Sequence, residues 1–129
     1  MDAKTRILHV EDDRSLQNLV RIALEQLGGY SVRTAASGRE ALAIAGAFAP
    51  QLLLLDLDLP DMSGLATLRA LRVLPGLAGV PAVFLTAASR PETLAELTTA
   101  GVSEILPKPF RPRQLVDAVN RVLAAGERR

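Results

Sequence analysis

The chain has 129 residues, the size of one ordinary domain, and can bury a single hydrophobic core without disulfide or metal staples. It contains no cysteine, which excludes disulfide frameworks and thiolate zinc sites, and its formal charge of +1, without a basic run interleaved with aromatic residues, predicts no direct nucleic-acid binding. No apolar stretch is long enough for a membrane span or a signal region, so we expect a cytoplasmic protein without membrane contact.

The first half of the chain alternates strand-like and helical patterns. A strand is predicted over residues 7–10, and apolar residues then recur at helical spacing until a pair of glycines. Within this strand we expect His9 to be a buried, hydrogen-bonded imidazole rather than a catalytic base. After a second strand over residues 30–34, Ser37 and Glu40 form a capping-box pattern that opens an alanine-rich helix.

The third strand is the most informative segment of the chain. Four consecutive leucines, residues 52–55, predict a strand buried on both faces of a parallel sheet, and Asp56 follows them directly. In open α/β sheets ligands bind at the carboxyl ends of the strands, so this carboxylate is expected at a functional site. Asp61 and Ser63 are interpreted as turn and cap residues before the third helix.

The second half of the chain continues the alternation. A strand over residues 82–86 leads to a fourth helix, for which Ser89 and Glu92 form another capping-box pattern. A short strand over residues 104–106 precedes a last helix, which is expected to start near Pro112.

The strict alternation of the two patterns decides the fold class. Five strands alternating with five helices predict a doubly wound α/β fold, in which a parallel sheet carries helices on both faces. No repeat, long linker or low-complexity segment interrupts the alternation. We therefore expect one domain over residues 1–129, with a core of about residues 5–125.

Polar side chains with complementary chemistry follow the predicted strands. Carboxylates come after the first strand (Glu11, Asp12, Asp13) and the third (Asp56, Asp58), Thr86 ends the fourth, and Lys108 follows the fifth. Because the carboxyl ends of parallel strands lie at the same edge of the sheet, these side chains are expected to lie close together. Crowded carboxylates repel each other unless a cation lies between them. Oxygen ligands without histidine or cysteine favour Mg²⁺, with Mn²⁺ or Ca²⁺ as alternatives. The threonine hydroxyl and the lysine charge suit a bound phosphoryl group.

Four segments in this order resemble the receiver domain of bacterial two-component response regulators. They read V-E-D-D at the end of the first strand, L-L-D-L-D-L-P-D-M-S-G at the third, F-L-T-A at the fourth and L-P-K-P-F at the fifth. The resemblance covers the whole chain and implies a flavodoxin-like (βα)5 fold with strand order 2-1-3-4-5. It also implies a phosphoacceptor of a two-component or phosphorelay system, which promotes its own phosphorylation and dephosphorylation without being a turnover enzyme.

The resemblance implies roles for the site residues position by position. Asp56 is the expected phosphoacceptor, a carboxylate nucleophile that forms an aspartyl phosphate. Asp12 and Asp56 are expected to bind Mg²⁺ directly. Asp58 is expected to contribute its backbone carbonyl, and Glu11 a contact through a water molecule. Lys108 is expected to pair with an oxygen of the phosphoryl group.

The resemblance also implies how the domain switches. Thr86 is expected to hydrogen-bond the phosphoryl group and shift toward it, and the small Ala87 leaves room for the donor. Pro109 is expected to follow a cis peptide bond. Many receivers carry tyrosine or phenylalanine at the position of Ile105, so a rotating aromatic switch is not expected here. We expect the signal to travel by backbone shifts around Thr86 and the fourth helix.

Partners follow from the same resemblance. The expected phosphodonor is a histidine kinase or a histidine phosphotransfer protein. The expected output surface is the face formed by the fourth helix, fifth strand and fifth helix, which would contact a downstream protein or an output domain. A monomer and a phosphorylation-dependent dimer both fit the sequence, as do a free-standing receiver and part of a longer regulator.

Two other functions compete with this interpretation. An aspartate pair after an apolar strand is also similar to the start of haloacid-dehalogenase-type phosphatases, but their acidic pair comes late in the chain, whereas Glu11 and Asp12 precede Asp56. The second alternative is a receiver-shaped module that binds partners without being phosphorylated. Competent residues at all the family's key positions argue against it.

Overall fold

The structure, a computed structural model, describes residues 3–87 and 90–127. The strands are β1 (Arg6–Val10), β2 (Ser31–Ala35), β3 (Leu52–Asp56), β4 (Ala82–Thr86) and β5 (Glu104–Pro107). The helices are α1 (Arg14–Ile22), α2 (Gly38–Phe48), α3 (Gly64–Val73), α4 (Pro91–Thr99) and α5 (Pro112–Glu127), and a π-helical segment, Ala23–Leu27, continues α1. Within the described residues all strand pairs are parallel and the sheet order is β2-β1-β3-β4-β5, which confirms the predicted flavodoxin-like fold. None of the helices in these ranges is long and apolar enough to cross a bilayer.

Strand β3 lies at the centre of the sheet and is buried along its whole length. Successive residues point to opposite faces, so Leu53 and Leu55 pack with α2 and α3, whereas Leu52 and Leu54 pack with α1 and α5. All four leucines are fully buried. Burying such a side chain contributes roughly 1.5–3 kcal/mol, and this anchoring holds the next residue, Asp56, at the carboxyl edge of the sheet.

Helix α2 begins at the predicted serine. Ser37 Oγ accepts a hydrogen bond from Glu40 N at 3.2 Å, which confirms the serine as the N-cap. The Glu40 carboxylate accepts from Ala36 N at 3.1 Å, so both side chains satisfy backbone N–H groups as predicted, although the glutamate bonds the residue before the N-cap. Ser63 caps α3 as predicted, because its hydroxyl accepts from Ala66 N at 3.1 Å.

Two other helix ends add detail that the sequence pattern did not predict. The first helix is α-helical for 9 residues and then widens, so that Gly28 N donates to Ala23 O at 3.2 Å across a π-helical turn. Helix α4 has Arg90 at its N-cap, and the arginine side chain makes no capping hydrogen bond. The predicted cap of that helix, Ser89, lies outside the described residues.

His9 is fully buried in β1 as expected, but the expected hydrogen bond is wrong. Neither ring nitrogen has a hydrogen-bond partner within the described ranges. Its neighbours in the sheet register are Thr34 on β2 and Leu54 on β3. The backbone groups of these strands pair with β1 in the parallel ladder, so they are already engaged and do not bond the ring. Burial, with a smaller contribution from the charge of Lys108, lowers the pKa of His9 to about 3, so the ring is neutral near pH 7.

Replacing His9 with leucine is expected to stabilise the fold. Leucine has a similar branched shape and removes two unpaired nitrogens, so the free energy of unfolding should rise by about 1–2 kcal/mol. The pKa of His9 is about 3 in the folded chain and 6.5 in the unfolded chain, so between these values the unfolded chain binds the extra proton and acid favours unfolding. The gain from His9→Leu should therefore grow as the pH falls below 6.5.

Urea unfolding of both proteins across this pH range measures the effect. A gain that stays constant with pH would mean that His9 does not remain neutral in the folded chain. A loss of stability in the leucine variant would mean that the imidazole makes favourable interactions that leucine cannot replace.

Candidate functional site

Carboxylates from the ends of two neighbouring strands meet at the carboxyl edge of the sheet. One oxygen each from Glu11, Asp12 and Asp56 lie within 4.8 Å of one another. Glu11 and Asp56 are buried, with 1% and 6% of their surface exposed, whereas Asp12 is exposed to solvent. A cavity of about 750 Å³ opens over these groups. The structure thus brings together the carboxylates that the strand order predicts to be neighbours.

Lys108 supplies a positive charge to this cluster. Its Nζ lies 3.3 Å from Asp56 Oδ1 and 3.6 Å from Glu11 Oε1. Glu11 Oε1 is buried and has no hydrogen-bond partner among the described residues. One lysine therefore faces two buried carboxylates and a third exposed one, which leaves the cluster short of positive charge.

The titration of Glu11 reflects its burial and the charges around it. Burial is the largest effect and raises the pKa of Glu11 to about 7. The charge of Asp56, and the hydrogen bond that a protonated Glu11 would donate to it, also raise the pKa, while the Asp13 backbone N–H and Lys108 lower it. A carboxyl group with this pKa is about half protonated near neutral pH. A divalent cation at the cluster would hold the group in its ionised form, and the all-oxygen donor set suits a hard cation.

The loop between β1 and α1 is held in place by its own side chains. Glu11 Oε2 accepts a hydrogen bond from Asp13 N at 3.2 Å, and Asp13 Oδ1 caps α1 by accepting from Leu16 N at 3.0 Å. The side-chain amide of Gln17 donates to Glu11 O at 2.5 Å. Asp13 is therefore the N-cap of α1, a position at which aspartate is common, and Gln17 is a supporting residue that helical periodicity alone could not identify.

A hydrogen bond from Gly64 joins the two ends of the loop between β3 and α3. Gly64 N donates to Leu57 O at 2.7 Å, and a Cβ atom on this glycine would collide with the carbonyl oxygen of Asp56. Asp58 N donates to Asp56 Oδ1 at 3.3 Å, and the Asp58 side chain is exposed. The metal contact predicted for the Asp58 carbonyl stays a prediction. The glycine was visible in the sequence only as part of the quoted receiver motif.

The ends of β4 and β5 form the other side of the site. Thr86 is buried, and its carbonyl accepts a hydrogen bond from Lys108 N at 2.9 Å, while Ala87 is exposed and lines the cavity. The peptide bond between Lys108 and Pro109 is cis, which confirms that prediction. Ile105 is half-buried against the core cluster on the α2 and α3 side of the sheet.

Comparisons with known proteins agree with the resemblance described above. The family model for the response regulator receiver domain matches residues 7–120. The DNA-binding response regulator MtrA of Mycolicibacterium smegmatis is 36% identical over 124 residues, which cover 96% of this chain and 53% of that protein. The DNA-binding dual master transcriptional regulator RpaA of Synechocystis is 32% identical over 123 residues, which cover 95% of this chain and 51% of that protein. The chain spans about half the length of these curated relatives.

Solved structures show the same likeness over nearly the whole chain. The chemotaxis protein CheY4 of Vibrio cholerae matches with a TM-score of 0.87 at 35% identity, covering 93% of this chain and 99% of that one. A CheY-like receiver domain protein of Methanospirillum hungatei matches with a TM-score of 0.86 at 30% identity, covering 98% of both chains. Because the names of MtrA and RpaA include DNA binding, the expectation that this chain avoids nucleic acid is not supported.

Two substitutions should move the pKa of Glu11 in opposite directions. Asp56→Asn removes a negative charge that raises this pKa, so the pKa should fall, and Lys108→Met removes a positive charge that lowers it, so the pKa should rise. Each change should amount to about 1 pH unit. Carbon-13 NMR titration of the Glu11 carboxyl in cation-free protein measures both.

Asp117→Asn, on the exposed face of α5, is the matched control for loss of one negative charge and should leave the pKa of Glu11 unchanged. If neither site variant shifts the pKa, burial alone sets its value; if both shift it in the same direction, the opposite effects assigned to Asp56 and Lys108 are wrong.

Proposed function

The chain belongs to the receiver-domain family of response regulators, and we propose that it receives a phosphoryl group on Asp56. The proposed donor is the phosphohistidine of a histidine kinase or of a histidine phosphotransfer protein. The observation that carries the proposal is the setting of Asp56, which ends a buried strand 3.3 Å from Lys108 Nζ. A carboxylate held in this way can act as a nucleophile, and the lysine beside it can balance the negative charge of the transferred phosphoryl group.

In the proposed reaction one oxygen of Asp56 forms a bond to phosphorus while the bond between phosphorus and the donor's imidazole nitrogen breaks. The imidazole leaves with the electron pair of that bond and takes up a proton. Lys108 stays beside the reacting carboxylate and balances its charge, and Thr86 donates its hydroxyl to a phosphoryl oxygen. Water later hydrolyses the aspartyl phosphate. The phosphorylation is therefore reversible, and the chain is not a turnover enzyme.

We propose Mg²⁺ as the cation of this site, with Mn²⁺ as a substitute. The donor atoms are oxygens, and the buried Glu11 Oε1 without a hydrogen-bond partner fits a nearby cation with ordered water. Asp12 and Asp56 would bind the ion directly, Asp58 through its backbone carbonyl and Glu11 through water. When bound, Mg²⁺ supplies positive charge where phosphoryl transfer concentrates negative charge.

The rim of the cavity supports a protein as the donor. Beside the carboxylates the cavity is lined by Leu16, Leu19 and Phe110. Leu19 and Ile22 are 38% and 48% exposed on α1. Apolar side chains left exposed next to a functional cavity are typical of protein contact surfaces. We therefore include the exposed side of α1 in the proposed donor contact, which the sequence pattern did not indicate.

For the output we propose a switch that runs through the backbone of β4 and β5. Lys108 N and Thr86 O are hydrogen-bonded at 2.9 Å, so a shift of either strand end is passed to the other. The face formed by α4, β5 and α5 would report this shift to a downstream protein or an output domain. The choice between a monomer and a phosphorylation-dependent dimer stays a prediction.

Incubation with acetyl phosphate or phosphoramidate and Mg²⁺ should add one phosphoryl group to the chain. Intact-mass spectrometry should detect the adduct in the wild type and in Asp117→Asn, the control on α5, but not in Asp56→Asn. Chelation of Mg²⁺ should suppress it, because the cation balances the transferred charge. The adduct should be labile in base, as expected of an acyl phosphate.

Other outcomes would favour the alternatives. A wild-type chain that takes up no phosphoryl group would indicate a receiver-shaped module that binds partners without phosphorylation. Multiple turnover of a phosphate monoester, abolished by Asp56→Asn, would indicate a phosphatase.

A phosphate mimic should reveal the proposed switch. With beryllofluoride and Mg²⁺, the amide NMR signals of Thr86, Lys108 and α4 should shift, whereas those of the middle of α2 should change little. Ile105→Ala should preserve this response, because the proposed path does not use an aromatic ring at that position. Changes confined to the loops around Asp56 would contradict the proposed path.

A further inference from the structure

The loop between β3 and α3, residues 57–63, is tied to the start of α2 by the side chain of Asp61. Asp61 Oδ1 accepts a hydrogen bond from Gly38 N and Oδ2 accepts one from Arg39 N, both at 3.0 Å. These N–H groups, that of Arg39 first, lower the pKa of Asp61, so the carboxylate is ionised near neutral pH. A negative charge at this end of a helix is also favoured by the helix dipole.

Packing fixes the same contact independently. Gly38 is buried, and a Cβ atom at this position would lie 2.5 Å from Met62 Cγ and Sδ and 2.7 Å from Thr67 Oγ1. A larger residue here would force the side chains of Met62 and Thr67 to shift, so the glycine lets the loop pack closely against the first turn of α2. The hydrogen bonds of Asp61 and the contact of Met62 join the loop to α2 at neighbouring points.

The tie is more than a cap for α2. Ser37 already occupies the N-cap position and binds Glu40 N, so the helix has a cap of its own. Asp61 comes from a segment 23 residues away from Gly38 along the chain, and its bonds cross between two elements. The bonds therefore act on the loop as well as on α2, and the loop has no helix or strand of its own to order it.

We propose that Asp61 is a positioning residue for the cation site. The inference rests on the proposed function, in which the Asp58 carbonyl, three residues before Asp61, is a ligand of Mg²⁺. Asp56 anchors one end of the loop in β3, and Asp61 fixes its far side on α2. Mg²⁺ requires close to ideal octahedral geometry, so a carbonyl on a loosely held loop binds it less well than one held in place.

The first measurement is the Mg²⁺ dissociation constant of the purified chain, from NMR titration of the Asp58 and Glu11 amides at fixed pH. Asp61→Ala should weaken binding by up to about tenfold, the lower end of the loss seen when a group bonded directly to a metal ligand is removed, because Asp61 acts on the ligand through the loop. Asp61→Asn keeps one acceptor oxygen and should lie between the wild type and Asp61→Ala. Asp117→Ala removes the same charge on α5 and should stay within about twofold of the wild type.

A second measurement separates positioning from general stability. Hydrogen exchange of the Gly38 and Arg39 amides should accelerate in Asp61→Ala, whereas exchange in the core strand β3 should stay close to wild type. Faster exchange at these amides with an unchanged Mg²⁺ dissociation constant would mean that Asp61 only stabilises α2, and would overturn the proposal. A similar loss of affinity in Asp117→Ala would attribute the effect to net charge and also overturn it.

Acetyl phosphate labelling of the wild type distinguishes this inference from the proposed function. A wild-type chain that binds Mg²⁺ and is labelled on Asp56, beside an Asp61→Ala variant with the same Mg²⁺ affinity, would refute the positioning role alone. A wild-type chain that binds Mg²⁺ but is not labelled would refute the phosphoacceptor role, while the affinity of the variants would still decide the role of Asp61. A wild-type chain that binds no Mg²⁺ would refute the positioning role.

Discussion

The site depends on a crowding of negative charge that the fold does not allow to relax. Asp56 ends the central, fully buried strand, so its carboxylate cannot move away into bulk water. Glu11 and Asp12 lie beside it, and Lys108 alone lies within ion-pair distance of both buried carboxylates in the described part of the chain. The pKa of Glu11 is raised mainly by burial and further by the charge of Asp56, which the charge of Lys108 only partly opposes. A site of this kind favours an added cation, which is also what a phosphoacceptor carboxylate requires.

The loops around this cluster are held by contacts with neighbouring elements rather than by their own regular structure. Gln17 on α1 holds the carbonyl of Glu11, and Lys108 N holds the carbonyl of Thr86. Asp61 ties the remaining loop to α2. Each of these hydrogen bonds joins a segment beside the site to a helix or a strand that the core anchors, so the positions of the site residues are held by the packed core. The carboxylates are thus kept close together despite their repulsion.

The features that the sequence predicted are those with a local cause. A run of leucines predicted the buried strand, the rule for parallel sheets placed Asp56 at the functional edge, and Ser37 capped its helix through a neighbouring N–H. The features that it missed depend on packing between distant segments. The unpaired ring of His9 depends on its neighbours across the sheet, and the bonds of Asp61 go to residues more than 20 positions away. Nothing in the local pattern around either residue specifies those partners.

Packing between distant segments also determines how a conformational change at Asp56 is passed to the surface of the domain. Ile105 replaces the aromatic residue expected from the resemblance, and its β-branched side chain has little rotamer freedom. The structure offers another physical connection, because Ile105 lies opposite Phe84 in the register and Phe84 is two residues from Thr86 on the same strand. The Phe84 ring also lies close to Gly64, where a Cβ atom would be 2.8 Å from its Cε1. Strand β4 therefore contacts both the first residue of α3, at the end of the loop that follows Asp56, and the strand that precedes Lys108. A displacement of Thr86 must disturb both contacts, since a close-packed core does not deform at one point alone.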